Sequence, residues 1–420
     1  MKRLKHNFKK GMAFVLSLAM IAGLVPAMPG GADKVRAASG SGSDNTPSVS
    51  AFATKTQLMN EFTPNSDGTA ANIGKLVFGK NSSGSAQHWY ILGKDDGVSG
   101  DNTILFAASP IAIGKQFNSS LSNKTYSYNA GTGYGNSDGS TEVYANHYGA
   151  SDLRGALQGM LKETNGNTVT SYFTKAEQGM MNDTTVTTND TKNNVSYTTT
   201  DKLYALAADG YGSSYKTIKA GSDNRTVLAM ISYWSSGSWF WLRSPYDIYG
   251  SDALLAIPGD YVSIDYVDYV HAVQPASNLN LSSVIFASAA KAASSESASS
   301  GTITTYHSVM TLRLDGSDQT MGNVIYDNET GRIAAQKAAD SSETVSLVVQ
   351  GNDGTKDWYY SVRAGGKTVV TKEQIRKACG ISRDIDFAKC KIWLETTDDG
   401  VAYAKMIETG GSSSPPDERR

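Results

Sequence analysis

The segment Trp239-Phe240-Trp241-Leu242-Arg243-Ser244-Pro245 is the densest aromatic cluster in the sequence. Its aromatic side chains can bury several hundred Å², because each covers about 150–250 Å². Pro245 lacks an amide donor and restricts the residue before it, so the regular element should end there. We therefore predict that this segment is a buried base and that the residues after Pro245 form a displayed surface.

The sequence after Pro245 is rich in tyrosine, aspartate and serine. Ala253–Ile257 and Tyr261–Val267 flank Pro258-Gly259-Asp260, a turn sequence that predicts a β-hairpin. Tyrosine supplies a large, rigid contact area with a polar tip, and serine and aspartate add adaptable hydrogen bonding. The candidate ligand-binding residues are therefore Tyr246, Asp247, Tyr249, Asp252, Tyr261, Ser263, Asp265, Tyr269 and His271.

The alternative interpretation is that about half of these tyrosines belong to the core and the acidic residues to turns. A similar choice applies to Arg243, which either binds an acidic ligand or stacks on a tryptophan and pairs with Asp247 or Asp252. We favour the second role for Arg243. The residues assigned to structure are Trp239, Trp241, Arg243, Pro245 and Pro275.

The first residues predict an export signal. Residues 2–10 contain five basic side chains, and Met12–Leu24 is apolar but too short to cross a bilayer. Val35-Arg36-Ala37 is preferred over Val25-Pro26-Ala27 as the cleavage site, because a flexible Ser/Gly-rich stretch follows it. We therefore predict a signal peptide at residues 1–37 and a secreted or cell-surface protein, with an uncleaved membrane anchor as the alternative.

Charge and hydropathy exclude two classes of partner. Without residues 1–37 the chain carries 31 basic and 39 acidic residues, a net charge of −8, whereas nucleic-acid recognition needs a basic face. No later apolar run reaches transmembrane length, so we expect no membrane insertion after signal removal. The partner that remains is an unknown glycan or protein ligand.

The chain after the signal divides into two predicted domains. In the first, strand-like segments such as Ile73–Gly79 precede helix starts at Ser151 and Thr174. In the second, short and evenly spaced strands predict an all-β, immunoglobulin-like sandwich. The predicted segments are a flexible linker at 38–50, an α+β domain at 51–286, an Ala/Ser-rich linker at 287–301, a β-sandwich domain at 302–409 and a disordered tail at 410–420.

The residue pattern does not indicate catalysis. The four histidines after residue 37 are spread across the chain, and no spacing places a general base beside a nucleophile and an orienting group. We therefore predict no enzyme activity, no metal and no cofactor. Cys379 and Cys390 permit a disulfide in an exported chain, and two buried thiols are equally compatible with the sequence.

Two segments carry a family resemblance: Trp241–Pro245, which reads W-L-R-S-P, and Val273–Leu281, which reads V-Q-P-A-S-N-L-N-L. They resemble an uncharacterised family of exported Gram-positive bacterial proteins, catalogued as domain of unknown function 6273, whose domain ends on W-L-R-S-P … V-R-P-A-L-N-L-N. The helix start at Ser151–Arg154 and the C-terminal β module also look like usual companions of that family. This sequence departs at Gln274, where the family usually has Arg, and at Ser277, where it usually has Leu.

That family is in turn similar to C-type-lectin-like and formylglycine-generating-enzyme-like domains, through its Trp-rich strand and the Arg-Ser-Pro step before a displayed loop. The similarity implies a C-type-lectin-like mixed α+β first domain. A formylglycine-generating role would need reactive cysteines in that domain, and Cys379 and Cys390 lie outside it. In some lectin-like proteins the displayed patch is hypervariable, and the composition of residues 245–272 is compatible with that.

These inferences together predict a non-catalytic exported surface protein. It would bind a glycan or protein ligand through the loop and hairpin at residues 245–272, with the β-sandwich as a spacer or anchor. The alternative is a structural cell-envelope module that makes assembly contacts only.

Overall fold

The computed structural model describes residues 47–407 apart from 129–139, 162–171, 231–233, 235–236, 295–297, 304–307 and 399. The predicted signal peptide, most of the first linker and the predicted tail lie outside the described residues. Strands account for 46% of the described residues and helices for 11%, so the fold is β-rich.

The predicted fold class, an α+β C-type-lectin-like domain followed by an immunoglobulin-like sandwich, is therefore wrong. The expected helices exist, but Asp152–Gly159 and Lys175–Gly179 are only eight and five residues long. The Thr/Asn-rich stretch that follows these helices has no clear hydrophobic periodicity in the sequence, yet it forms the hairpin Thr184–Asp190 and Val195–Asp201. Threonine is β-branched and favours strands, which explains the larger strand content.

The helices are α1 Lys55–Asn60, α2 Asp152–Gly159, α3 Lys175–Gly179 and α4 Lys372–Cys379, and 3₁₀ turns occupy Tyr148–Ala150, Ser222–Asn224 and Phe387–Lys389. In chain order the strands are β1 Ser48–Val49, β2 Phe52–Thr54, β3 Asn72–Lys80, β4 Ala86–Ile91, β5 Asn102–Ala107, β6 Ala112–Gln116, β7 Lys124–Ser127, β8 Ser140–Val143, β9 Met181–Asn182, β10 Thr184–Asp190, β11 Val195–Asp201, β12 Leu203–Tyr204, β13 Thr217–Ala220, β14 Thr226–Ala229, β15 Phe240–Pro245, β16 Asp252–Ala256, β17 Val262–Tyr266, β18 Val270–Val273, β19 Ala276–Asn280, β20 Val284–Ser288, β21 Ser299–Ile303, β22 Thr311–Asp315, β23 Gly322–Asp327, β24 Arg332–Lys337, β25 Ser346–Asn352, β26 Asp357–Arg363, β27 Thr368–Thr371, β28 Lys391–Asp398 and β29 Val401–Met406.

These strands form four larger sheets and three two-stranded ladders. The first sheet has the order β1-β3-β4-β5-β19-β12, with β9 also paired to β19, and the second has the order β17-β16-β15-β18-β6. The third runs β2-β20-β22-β29-β28-β25-β26-β21, and the fourth β23-β24-β27. The ladders are β7-β8, β10-β11 and β13-β14.

The helix ends follow the capping rules. The Ser151 side chain accepts a hydrogen bond from the Arg154 amide at 3.0 Å at the start of α2, and Thr174 forms a capping box with Glu177 around α3. Gly380 ends α4 in the left-handed conformation, with φ of 63°, which glycine adopts without steric cost. The helix starts at Ser151 and Thr174 were predicted from the sequence and are confirmed.

Strand β15 lies between two hydrophobic clusters. Trp241 belongs to one of them, together with residues of β3, β4 and α2. Phe240 and Leu242 belong to the other, with residues of β13, β16 and β19. Because successive side chains of a strand point to opposite faces, this one strand contributes to both cores.

The eight-stranded sheet combines strands from both sides of the predicted linker at 287–301. Strands β2 and β20 precede most of that segment, and β21 begins at Ser299, near its end. The two cysteines beyond it are both buried and free. The Cys379 thiol contacts the Tyr359 carbonyl at 3.1 Å and the Cys390 thiol contacts the Asp386 carbonyl at 3.4 Å, so the structure contains two buried thiols and no bridge between them.

Candidate functional site

The candidate site lies on the five-stranded sheet. Strands β16 and β17 form the predicted hairpin, in which Ala253 is opposite Asp265 and Leu255 is opposite Ser263. On the other side of β16, Trp241 of β15 is opposite Leu255. Since directly opposite residues share one face of a sheet, Trp241, Ser263 and Asp265 point to the same side.

Trp239, Asp265 and His271 lie together on this face, and we call these three residues the tryptophan surface. Trp239 is 48% exposed. Its indole stacks on the His271 ring, with 6.1 Å between the ring centroids and 27° between the planes. The Nε2 atom of His271 lies 3.0 Å from Oδ2 of Asp265, and these two side chains are 11% and 23% exposed. The exposed, apolar indole of Trp239 thus lies beside the carboxylate of Asp265 and the imidazole of His271.

The connection between β17 and β18 explains how Asp265 reaches His271. Only Val267–Tyr269 separates the two strands, and the Tyr269 amide donates to the Tyr266 carbonyl at 3.0 Å. In the sheet order, however, β16 and β15 lie between β17 and β18. The sheet must therefore curl so that its distant strands meet, and the contact between Asp265 and His271 bridges them.

Trp241 anchors this surface from below. Its indole nitrogen donates to the Lys115 carbonyl at 2.9 Å, and its ring meets Phe117 edge-on at 5.7 Å. The His271 ring lies edge-on against Trp241 at 4.7 Å. The imidazole is consequently held by a buried indole on one side, an exposed indole on another and the carboxylate of Asp265.

The other predicted binding residues differ in exposure. Asp247 is exposed, Tyr249 is 61% exposed, and Tyr261, Ser263 and Tyr269 are half-buried. Tyr246 and Asp252 are buried. The structure thus brings part of the predicted set onto an accessible surface and places these last two inside the protein.

Tyr246 and Asp252 have structural contacts. The Tyr246 hydroxyl donates to the Tyr211 hydroxyl at 3.1 Å, and its ring packs edge-on against Tyr211 at 4.7 Å and Tyr249 at 5.8 Å. The Asp252 carboxylate accepts from the Ser251 hydroxyl at 3.1 Å. Burial, and the nearby negative charge of Asp265, raise the pKa of Asp252 above its ordinary value.

The residues that the sequence analysis assigned to structural roles also have defined positions in the fold. Arg243 is fully buried, donates to the Ala205 carbonyl at 2.6 Å and to the Asn224 side chain, and lies over the Tyr204 ring at 5.9 Å. Burial lowers the pKa of this guanidinium. Its partners are therefore a carbonyl, an amide and a tyrosine, in place of the tryptophan and the Asp247 or Asp252 carboxylate that the sequence suggested. Pro245 is the last residue of β15, and Pro275 is buried.

Sequence reasoning missed a buried polar network on the same domain. The Tyr128 hydroxyl donates to the Asp190 carboxylate and lies 3.2 Å from Nε2 of His147. The His147 ring stacks on Tyr197, with centroids 4.1 Å apart and planes 12° apart, and burial lowers its pKa to about 4. The sequence around Tyr126 and Tyr128 is polar and typical of a surface loop, and only the alternate spacing of the two tyrosines, typical of a strand, could have indicated a buried face.

Two features are absent from the part of the chain that the structure describes. It contains no helix that is long and apolar enough to cross a membrane. Nor does it bring together three or more His, Cys, Asp or Glu side chains in a way that could hold a metal ion.

Comparison with other proteins gives one match. Searches of curated proteins and of solved structures found none. Residues 113–281 match a family model described as a domain of unknown function, DUF6273. This segment contains the whole tryptophan surface and the buried network around His147. Over residues 113–281 the chain is therefore similar to the DUF6273 family, in agreement with the resemblance seen at Trp241–Pro245.

Proposed function

We propose that the protein is an exported, non-catalytic surface protein that binds a glycan through the tryptophan surface and the neighbouring half-buried residues of the 245–272 hairpin. The observation that carries this proposal is the exposed indole of Trp239 beside the Asp265–His271 pair. An aromatic face packs against the apolar face of a sugar ring, while a carboxylate and an imidazole supply directional hydrogen bonds.

The surroundings of Trp239 support binding. Its ring orientation is restrained by His271, which in turn is held by Trp241 and Asp265. A side chain that is already ordered loses less conformational entropy when it contacts a ligand. Exposed, preorganised tryptophans are typical of residues that contribute most of the binding free energy. The export signal predicted at residues 1–37 supports a location outside the cell.

A glycan array with the purified protein tests the proposal. We expect binding to neutral or acidic glycans, weakened about 30-fold by Trp239→Ala, which corresponds to about 2 kcal/mol. Asp265→Asn should weaken binding and keep the shape of the site. Ile325→Ala is the matched control, because Ile325 is 61% exposed on a different sheet.

The outcomes separate the alternatives. Glycan binding that survives Trp239→Ala would contradict the assignment to this surface. If no glycan binds but a protein ligand does, the ligand class is wrong. Self-association without any ligand, measured by light scattering, would favour the structural cell-envelope module.

A further inference from the structure

A pocket lies outside the 113–281 segment, beside β3 and β4 of the seven-stranded sheet. Its volume is about 240 Å³, and it is lined by Lys75, His88, Tyr90, Ala108, Ser109 and Val309. A water molecule takes about 30 Å³ in the liquid, so the pocket has room for roughly eight waters or one small solute.

Backbone pairing fixes the walls of this pocket. Lys75 is opposite Tyr90 and Val77 is opposite His88, so the basic side chains and the tyrosine share one face of β3 and β4. The Ala108 amide donates to the His88 carbonyl at 2.9 Å, which holds the segment that carries Ser109 against the sheet. The walls therefore belong to strands or to segments bonded to them.

The wall formed by Val309 is held in place by another backbone hydrogen bond. The Val77 amide donates to the Met310 carbonyl at 2.9 Å, and this contact holds the segment that begins at Val309 beside β3.

The charge of the pocket is unbalanced. Lys75 and His88 line it, and none of the six lining residues is acidic. Lys75 is half-buried, with its Nζ atom 5.3 Å from the centroid of the Tyr90 ring, and among the described residues it makes no ion pair. Some other half-buried lysines have carboxylate partners, as in the contact of Lys124 with Asp152 at 2.7 Å, whereas Lys356 donates to the Gly380 carbonyl.

The pKa shifts of Lys75 and His88 agree with the excess of positive charge in the pocket. Burial lowers the pKa of the Lys75 ammonium. The His88 side chain is exposed, and partial desolvation, followed by the positive charge of Lys75, lowers the pKa of its imidazole. An anion in the pocket would favour the charged form of both side chains, so its binding would be coupled to protonation of His88.

We propose that this pocket binds a small oxyanion, a carboxylate or phosphate group, held between Lys75 and His88 with the Ser109 hydroxyl as a neutral donor. The group can belong to a free anion or to an acidic sugar residue. This site is separate from the tryptophan surface and does not depend on the glycan proposal.

NMR titration of His88 in the full-length protein tests this site. The His88 resonance is identified by its absence in His88→Gln, and it is followed against pH at constant ionic strength with inorganic phosphate, acetate, glucuronate or glucose as probes. We expect a saturable rise in the apparent pKa of His88 with at least one of the three anions and none with glucose. A response to glucuronate alone would assign the site to an acidic sugar, and a response to phosphate or acetate to a free anion.

Variants locate the effect. Lys75→Met removes the charge and keeps the apolar stem, so we expect it to weaken anion binding by about tenfold to a hundredfold, as for loss of one charge-assisted hydrogen bond. Lys80→Met is the matched control, because Lys80 is an exposed lysine on the same strand outside the pocket. Ser109→Ala provides a second test that leaves both charges in place, and we expect a smaller weakening.

Three results would overturn the proposal. The first is the absence of a saturable shift of His88 with every anion. The second is a shift that Lys75→Met leaves unchanged in a variant whose spectrum is otherwise native. The third is an equal loss of binding in Lys80→Met, which would show a general effect of surface charge.

Discussion

Arg313 and Glu395 form a buried ion pair whose removal should be strongly destabilising. Nε of Arg313 lies 2.9 Å from Oε2 of Glu395, and the two side chains are 2% and 5% exposed. The guanidinium also donates to the carbonyls of Ser288 at 3.0 Å and Ala290 at 2.7 Å, and Glu395 accepts from the Trp393 indole at 2.7 Å. Arg313→Met leaves a buried carboxylate with the indole as its remaining close partner in this cluster, and we expect a loss of about 3–5 kcal/mol in the free energy of unfolding.

A double-mutant cycle separates the lost pair from the orphaned charge. Arg313→Met combined with Glu395→Leu removes both charges, so it should be less destabilising than Arg313→Met alone, because no unpaired charge remains buried. Urea unfolding followed by tryptophan fluorescence measures each variant. Lys389→Met, which breaks an exposed contact with Asp386, is the control and should change stability by less than about 0.5 kcal/mol.

The reasoning about this pair would be refuted by a simple result. If the double variant loses as much stability as the two single variants added together, the two charges do not interact in the folded protein. A cost of Arg313→Met no larger than that of Lys389→Met would refute the assignment of a buried, desolvated pair.

Two further predictions concern the first part of the chain. Trp241→Ala should reduce the free energy of unfolding by about 3–5 kcal/mol, because a buried indole is lost. Trp239→Ala should leave the midpoint of urea unfolding nearly unchanged, because that side chain is half exposed. Equal midpoints for the two variants would contradict the assigned burial. The pKa of His147 is about 4 in the folded protein and 6.5 in its ordinary state. As the pH falls, the unfolded chain therefore binds a proton at His147 before the folded protein does. The free energy of unfolding should be highest above pH 6.5 and should fall by up to about 3 kcal/mol as the pH drops to 4. His147→Gln should flatten this slope in urea titrations at several pH values, and an unchanged slope would exclude His147 as its source.

Local features of the fold were predictable from the sequence. The turn at Pro258-Gly259-Asp260 correctly predicted the hairpin of β16 and β17, and Pro245 correctly predicted the end of β15. The burial of Trp239 was predicted wrongly, since it is 48% exposed. It shares a face with Trp241, but it lies just before the strand, beyond the edge of the core, and residue type alone does not give that position.

The candidate site was predictable only in part. Asp265 and His271 were both expected to face a ligand, but their contact depends on the curl that brings β17 to β18, which is a property of the whole sheet. Strand pairing between distant segments depends on which surfaces are available after folding, and local patterns do not encode it. The α+β prediction was wrong because it gave more weight to two short helices than to the threonine-rich segment, which forms a β-hairpin.

The pairing of β2 with β20 joins segments that are far apart in the sequence. Phe52 of β2 is opposite Ser288 of β20, and the Gln350 side chain donates to the Ala51 carbonyl at 3.1 Å across 299 residues of sequence. Strand β2 is therefore synthesised long before β20, the strand with which it pairs. Contacts of such high sequence separation slow folding, because loop-closure entropy is lost before they form. The nascent chain should thus carry an unpaired β2 edge until β20 has been synthesised, and an unpaired edge favours aggregation.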